Sequence, residues 1–220
     1  ILAMKRRLLR ISKGLILALL LNPASAVRAQ SLPLDTVIRR SLNLAERQYR
    51  NLAAALPSGR LPRTLGPDGR LITCDPGWWT SGFFPGSLWY LYEYSGSPAL
   101  KKLAADWLQP LDAQQFNDHD HDIGFKMNCS FGNAYRITGN SAYKNVLLQS
   151  AATLAYRFNP VVGAIRSWGD INDSSHFLVI IDNMMNLELL FEATRLSADS
   201  SYYKIANASR SFCRSVPTRS

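Results

Sequence analysis

Apolar residues recur at three- and four-residue steps along almost the whole chain, which is the spacing that places them on one face of an α-helix. The first such stripe begins at Leu34, and Asp35 is placed to cap that helix. The same spacing predicts the remaining helices near residues 83–95, 98–116, 122–137, 141–158, 178–197 and 200–210. Residues 57–71 are rich in glycine and proline and predict a loop. No segment alternates for long, so the pattern predicts short strands at most.

One plan of helix, short polar turn and helix occurs three times along the chain. The turns are centred near residues 96, 139 and 198, so the units lie about 43 and 59 residues apart. Units of this size are typical of antiparallel helical hairpins that stack side by side. We therefore expect an all-α fold whose hairpins form part of a ring.

The first 30 residues have the composition of a secretory signal peptide. A cluster of cations precedes the apolar run 15–21, and the small-residue triplet 24–26 follows it. The cations are Lys5, Arg6, Arg7, Arg10 and Lys13. The apolar run is too short to span a bilayer. We expect export to the periplasm or the extracellular space without membrane attachment after cleavage, the alternative being a buried N-terminal helix.

The charge balance changes when the predicted signal peptide is set aside. The whole chain carries a net charge of +9, and residues 1–30 hold six of its cations and no acid, which leaves +3. A body this close to neutral has no basic stripe for nucleic acid. Cys74, Cys129 and Cys213 are too few and too scattered for a disulfide framework, and no CxxC pair indicates zinc. The sequence carries no signal for an oligomeric state.

The predicted helix 178–197 carries an unusual polar stripe. At 100° per residue, Asp182 and Asn186 lie on one side, and Glu192 and Arg195 lie nearly opposite, where they can pair in solvent. Apolar residues on both flanks predict that the helix packs between neighbours. A carboxylate on such a helix needs partners, a raised pKa or a wet cavity. A structural aspartate with hydrogen-bond partners is the alternative.

Residues 119–125, HDHDIGF, place two histidines and two aspartates directly before an apolar run. Asp122 stands where a helix should begin, so it is either an N-cap that accepts backbone N–H bonds or a functional acid. A metal site needs three or four convergent ligands. His119 and His121 point to opposite sides of an extended loop, and His176 is the only further histidine in the sequence. We therefore expect no metal.

Two irregular stretches carry aromatic residues that suit a sugar. Trp78 and Trp79 precede a predicted helix and are candidates for a stacking platform. Arg166 and Trp168 lie in another loop and together suit a carboxylated sugar, through charge-assisted hydrogen bonds and stacking. Core packing of the rings and a solvated loop are the alternatives.

Several longer segments resemble the unsaturated glucuronyl hydrolases, glycoside hydrolase family 88. They agree in order and spacing over residues 71–206. The segments are WTSGFFPGSLWYLYEYSG (79–96), HDIGF (121–125), SFGNAYRITGN (130–140), RFNPVVGAIRSW (157–168) and VIIDNMMNLELLFEAT (179–194). The resemblance implies an (α/α)6 barrel, a toroid of six antiparallel helical hairpins, which is incomplete here at the C-terminus.

The resemblance also implies an activity and its residues. Members of the family release a 4,5-unsaturated uronic acid from the non-reducing end of lyase-generated oligosaccharides by hydrating the C4=C5 double bond, without metal or cofactor. Asp182 matches the general acid/base, and Asp122 matches a second essential aspartate. Trp79, His121 and Trp168 match positions that line the sugar site.

The sequence departs from the family after Lys204. The family continues much further with additional sugar contacts, whereas residues 208–220 resemble none of it. We therefore expect a partial family domain over residues 31–207, followed by an unrelated tail. Two alternatives stay open: a non-catalytic fragment of helical hairpins, and an unsaturated rhamnogalacturonyl hydrolase, which has the same barrel and chemistry.

Overall fold

The computed structural model describes residues 32–173 and 175–215, so the predicted signal peptide and the end of the predicted tail lie outside the described residues. The described residues divide into two units at Arg39 and Arg40. The described part of the first unit is residues 32–39, where the first helix begins. Among the described helices, none has the length and apolar character needed to cross a membrane.

The described chain consists of eight α-helices, two short β-hairpins and two tighter or wider helical turns. In chain order the elements are α1 (Leu34–Ala55), β1 (Leu61–Leu65), β2 (Leu71–Cys74), α2 (Phe83–Ser95), α3 (Pro98–Asp106), a 3-10 helix (Gln109–Phe116), α4 (Ile123–Met127), a π-helical turn (Asn128–Gly132), α5 (Asn133–Thr138), α6 (Ser141–Tyr156), β3 (Phe158–Asn159), β4 (Ala164–Ile165), α7 (Asn183–Ser197) and α8 (Ser200–Ser215). The all-α prediction is confirmed, and the described hairpins do not close into a barrel.

Three helical hairpins, α2/α3, α5/α6 and α7/α8, reproduce the repeat predicted from the sequence. Each hairpin turns at a residue in the left-handed conformation: Gly96 (φ 66°), Gly139 (φ 67°) and Ala198 (φ 61°). In each turn the N–H of that residue donates to the carbonyl four residues earlier, at 2.8 Å. This bond satisfies an unpaired carbonyl at the end of the first helix. Glycine adopts this conformation freely, whereas Ala198 is strained because its Cβ crowds the backbone.

Two predicted boundaries were wrong because the segments bond to distant backbone. The predicted loop 57–71 contains β1, which pairs antiparallel with β2 through a bulge at Pro62 and Thr64. The predicted helix 178–197 begins only at Asn183. Its expected first turn is an extended segment instead, because the Leu178 carbonyl accepts from the Ser167 N–H at 2.8 Å and the Ile180 N–H donates to the Ser167 hydroxyl at 3.0 Å.

The remaining differences are smaller. The predicted helix 98–116 changes at Gln109 into a 3-10 helix, where Pro110 removes a backbone donor. The predicted helix 122–137 is interrupted by the π-helical turn, and the helix predicted over 200–210 continues to Ser215.

Helices α2, α4–α5 and α7 lie beside one another, and α6 packs against both α4 and α7. The core between them is aliphatic, with fully buried side chains that include Leu88, Leu147 and Leu154. Burial of each such side chain contributes about 2 kcal/mol to the free energy of unfolding. Backbones approach most closely at Gly82, where a Cβ would overlap the carbonyl of Lys126. This packing fixes the N-terminal ends of α4 and α7 side by side.

Candidate active site

Asp122 is the N-cap residue of α4, as one interpretation of the sequence predicted, but its side chain does not cap the helix. The carboxylate forms no capping hydrogen bond with the described backbone, and 20% of the side chain is exposed. Its own backbone N–H donates to the Asp120 carboxylate at 2.9 Å, which holds the turn before α4. The carboxylate of Asp122 is therefore directed into the site.

Asp182 has the same position on a neighbouring helix. It is the N-cap residue of α7, and its carboxylate likewise makes no capping bond to the described residues. The side chain is 37% exposed, so solvent or a ligand can reach it. Because α4 and α7 pack together, the two acids lie close although 60 positions separate them in the sequence.

His121 lies between the two carboxylates. Its Nε2 is 3.4 Å from Oδ1 of Asp122 and 3.5 Å from Oδ1 of Asp182. The ring is fully buried, and neither ring nitrogen meets hydrogen-bond geometry with any described residue. The His121 backbone N–H donates to the Ser167 carbonyl at 2.8 Å, which fixes the residue in place. The imidazole thus lies behind the two acids and touches both.

Burial controls the protonation of this group. The pKa of Asp122 is raised to about 6, mostly by burial and also by the nearby charges of Asp120 and Asp182, while the charge of Lys126 lowers it. Burial also lowers the pKa of His121, although Asp182 and Asp120 favour its charged form. A neutral imidazole beside a carboxyl group that keeps its proton close to neutral pH is suited to general acid/base chemistry.

Two tryptophans flank this group. Trp168 is 45% exposed, and its ring centroid lies 6.1 Å from that of His121 in an edge-to-face arrangement. Trp79 is also 45% exposed and packs edge-to-face against Phe125, one turn after Asp122, at 6.2 Å. Both rings therefore present exposed surface, as a sugar-stacking role requires, Trp168 next to His121 and Trp79 next to Phe125.

Comparisons with known proteins find relatives among enzymes that act on unsaturated saccharides. No family model matches the chain. The chain is 50% identical over 129 residues to the unsaturated glucuronyl hydrolase of Formosa agariphila. The matched residues make up 58% of this chain and 32% of that protein. It is 36% identical over 134 residues to the unsaturated chondroitin disaccharide hydrolase of Streptococcus pneumoniae, with 59% and 34% covered. Among solved structures, an unsaturated glucuronyl hydrolase specific for heparin superposes with a TM-score of 0.78 at 39% identity, over 84% of this chain and 49% of that chain.

Over the part that they cover, these comparisons show that the chain is similar to the unsaturated glucuronyl hydrolase family. Its fold is part of the (α/α)6 barrel of that family, so the predicted fold is confirmed. The chain spans about a third of the length of these curated relatives and about half of the solved structure. The boundaries predicted for the family domain, 31–207, and for the tail, 208–220, stay predictions.

The two neighbouring tryptophans, Trp78 and Trp79, have different surroundings. Trp78 packs against the core, and the guanidinium of Arg63 lies 4.1 Å from its ring centroid. Of the two, Trp79 therefore has the free ring face. Lys126 supports this loop from α4, because its buried ammonium donates to the Gly77 carbonyl at 2.9 Å.

Arg166 does not have the role expected from the sequence. Its side chain is 3% exposed, and the guanidinium donates to the carbonyl oxygens of Asp170, at 2.5 Å, and Asp173. The expectation that Arg166 binds a carboxylated sugar was therefore wrong, since the side chain is buried and backbone carbonyls of its own loop accept from both of its Nη groups. Arg157 was missed by the sequence reasoning. It is also buried and donates to the carbonyls of Asp118, Arg166 and Gly169, which ties the His121 loop to the Trp168 loop.

The structure also groups the residues that could hold a cation. One ligand-type atom from each of His121, Asp122 and Asp182 lies within 4.8 Å of the others. His119 and His176 are exposed and lie outside this group. The sequence reasoning compared histidines alone and did not see that two distant carboxylates complete a set of three. The expectation of no metal and no cofactor stays a prediction.

A cavity of about 660 Å³ opens next to the site but not at it. Phe125, Arg136, Glu188 and Arg195 are among the residues that line it, and neither Asp122 nor Asp182 does. The candidate site, at the N-terminal ends of α4 and α7, is therefore separate from this cavity.

Proposed function

We propose that this protein is an unsaturated glucuronyl hydrolase that releases 4,5-unsaturated uronic acid from the non-reducing end of oligosaccharides produced by polysaccharide lyases. One observation carries the proposal. The carboxylates of Asp122 and Asp182 do not cap their helices, and they lie 3.4 and 3.5 Å from the same nitrogen of His121. The similarity to this family and the names of the relatives support the same activity.

In the proposed reaction Asp182 is the general acid and base. Its carboxyl group donates a proton to C4 of the vinyl ether, which leaves positive charge shared between C5 and the ring oxygen. A water molecule attacks C5 and returns a proton to the Asp182 carboxylate. The resulting hemiketal opens by breaking the C5–O5 bond, and the remaining hemiacetal at C1 releases the rest of the saccharide. One water is consumed, and no electron acceptor is needed.

Asp122 and the tryptophans complete the proposed site. Asp122, whose pKa is raised to about 6 mainly by burial, holds the sugar ring through hydrogen bonds. Trp79 and Trp168 each expose 45% of their surface and provide stacking faces for the sugar. His121 was predicted to line the sugar site, and its complete burial favours contact with the two carboxylates.

The test follows the ultraviolet absorbance of the C4=C5 double bond of unsaturated disaccharides from chondroitin and from heparin. The proposal predicts that the absorbance falls on addition of the protein. Asp182→Asn should slow this loss by about 1,000-fold, because it removes the proton donor while retaining the shape of the side chain. The matched control is Asp112→Asn, which changes an exposed aspartate in the 3-10 helix and should leave the rate unchanged.

The two alternatives from the sequence are distinguished by the same assay. Loss of absorbance only with unsaturated rhamnogalacturonan fragments would assign the chain to that substrate class. Constant absorbance with every substrate, in a protein that is folded by circular dichroism, would reject the proposed activity and support a non-catalytic fragment. Equal rates for Asp182→Asn and the unsubstituted chain would reject the role of Asp182.

We also propose that the protein is exported to the periplasm or beyond. The support is the order of cations, apolar run and small residues within residues 1–30. Expression in a bacterial host, followed by cell fractionation and N-terminal sequencing, tests this proposal. Mature protein that begins near residue 27 and leaves the cytoplasm is the expected result, and intact protein in the cytoplasm is the opposite one.

A further inference from the structure

Asn186 connects the two helices that carry the carboxylates. It lies on α7 one turn after Asp182, and its side chain is completely buried. Its Oδ1 accepts a hydrogen bond from the backbone N–H of Phe125 on α4, at 3.0 Å. Its Nδ2 donates to the Asp182 carbonyl at 3.4 Å. One amide side chain therefore joins the first turn of α4 to the first turn of α7.

The bond to Phe125 replaces a missing cap. Phe125 is the third residue of α4, and N–H groups in the first turn of a helix have no partner within the helix. The side chain of the N-cap residue normally accepts this bond. The N-cap residue here is Asp122, and its carboxylate makes no such bond with the described backbone. Asn186 supplies the acceptor from the neighbouring helix.

We propose that Asn186 is a positioning residue: by capping α4 in place of Asp122, it leaves the Asp122 carboxylate free to face Asp182 across His121. The inference rests on the proposed function for its kinetic consequence, and its structural part can be tested without substrate. In this arrangement Asp122, which would otherwise cap its own helix, is available for chemistry.

Gly124 shows that the spacing of the two helices is fixed at this point. A Cβ built on Gly124 would lie 2.5 Å from the Cβ of Asn186 and 2.6 Å from its Cα and its carbonyl oxygen. Real Cβ atoms do not approach other atoms so closely, so the two backbones are in direct contact here. The Asn186 bridge is therefore formed across rigid elements, and the carboxylates at their ends keep a defined separation.

Removal of the bridge has a specific consequence. In Asn186→Ala the Phe125 N–H loses its acceptor in a buried place, and the nearest alternative is the carboxylate of its own N-cap, Asp122. A hydrogen bond from an N–H stabilises the charged carboxylate and lowers its pKa. The charged groups that face Asp122 are Asp120, Lys126 and Asp182, with His121 beside them, and none of these is changed by the substitution.

The experiment measures the pKa of Asp122 by carboxyl carbon-13 NMR in the full chain. Asn186→Ala should lower this pKa from about 6 by about one unit or more. Asn186→Asp retains the acceptor oxygen and adds a negative charge, so it should keep or raise the pKa of Asp122. The two variants thus shift the same group in opposite directions, and the aspartate variant also serves if the alanine variant does not fold.

The control is Asn133→Ala. Asn133 is another buried asparagine, and its Nδ2 donates to the Cys129 carbonyl at 2.8 Å, away from both carboxylates. Asn133→Ala should lower the melting temperature by about as much as Asn186→Ala does, and it should leave the pKa of Asp122 unchanged. With substrate, kcat should fall about 100-fold in Asn186→Ala and stay constant in the control, because misplacement by about 1 Å costs this much.

An unchanged pKa of Asp122 in folded Asn186→Ala would overturn the inference. So would an equal loss of kcat in Asn133→Ala, which would show a general effect of stability. If the unsubstituted chain turns over no unsaturated disaccharide, the proposed function fails by itself. The NMR titration still decides whether Asn186 keeps Asp122 from capping α4.

Discussion

Asp122→Asn should make this protein more stable at neutral pH. Burial raises the pKa of Asp122 to about 6 from an ordinary value of 3.8. A difference of roughly two pH units corresponds to about 3 kcal/mol between the protonated and ionised states. A carboxyl group with a raised pKa contributes stability that is fully present below its unfolded pKa and is lost as pH rises through its folded pKa. The window of loss is therefore between about pH 4 and about pH 6.

Asparagine has the shape of aspartate without its charge. Asp122→Asn therefore does not lose stability as the pH rises through the pKa of Asp122. At about pH 7.5 the free energy of unfolding of Asp122→Asn should exceed that of the unsubstituted protein by up to about 3 kcal/mol. Below about pH 3 the two proteins should be equal, since Asp122 is then mostly protonated in both the folded and the unfolded state. The variant should also lose activity, which is the usual relation between stability and function at an active site.

Urea unfolding followed by circular dichroism at several pH values provides the measurement. The control is Asp199→Asn at the start of α8, because hydrogen bonds from Ser201 lower the pKa of Asp199. A lowered pKa gives the opposite sign, with stability present above the unfolded pKa and lost as pH falls through the folded one. The reasoning would be refuted if the free energies of unfolding of Asp122→Asn and the unsubstituted protein differed by the same amount at every pH. It would also be refuted if Asp122→Asn were less stable at neutral pH.

Three further predictions concern the scaffold of the site. Gly82→Ala should lower the free energy of unfolding by about 3 kcal/mol in urea, because its Cβ would overlap the Lys126 carbonyl, which is backbone and has no room to move. Ala198→Gly should raise it by about 1 kcal/mol, because glycine relieves the left-handed conformation at φ 61°. Burial raises the pKa of Cys129 to about 12, so this thiol should resist a thiol-specific reagent near pH 8 until urea unfolds the protein.

The helical hairpins could be predicted from the sequence because their signals are local. The turns at Gly96, Gly139 and Ala198 follow helices that end in three- and four-residue apolar periods, and each contains short polar residues that begin the next helix. Caps and periodicity of this kind act within one or two turns of the chain. The pairing of Glu192 with Arg195 at 2.5 Å was also predicted by spacing alone.

The parts that were wrong depend on contacts between distant segments. The helical spacing of apolar residues extends through residues 178–182. That backbone instead forms hydrogen bonds with Ser167, so α7 begins only at Asn183. Arg166 has the residue type and loop position of an anion-binding group, and only the fold shows that carbonyls of its own loop use its donors. Arg157 gave no signal beyond its charge, since the carbonyls that it holds come from separate loops.

The candidate site was predictable in composition and unpredictable in arrangement. The segments that contain Asp122 and Asp182 could be selected from the sequence, because acids beside apolar runs need an explanation. Their convergence on Nε2 of His121 depends on the packing of α4 against α7. The raised pKa of Asp122, of about 6, depends on burial by the same packing and could not be predicted from its neighbours in the sequence.

Both acids occupy positions at which an aspartate ordinarily stabilises a helix. An N-cap aspartate contributes about 1 kcal/mol by accepting an N–H of the first turn, and the helix dipole adds to this when the carboxylate is charged. Each of these effects favours the ionised form, so each would work against a proton donor. At Asp122 burial wins, because the pKa is raised in spite of the helix terminus and of Lys126. Asn186 makes this outcome possible, since it satisfies the Phe125 N–H that would otherwise draw the Asp122 carboxylate onto its own helix. A carboxylate that caps its helix is held away from a substrate, and the released one can meet Asp182 beside the tryptophans.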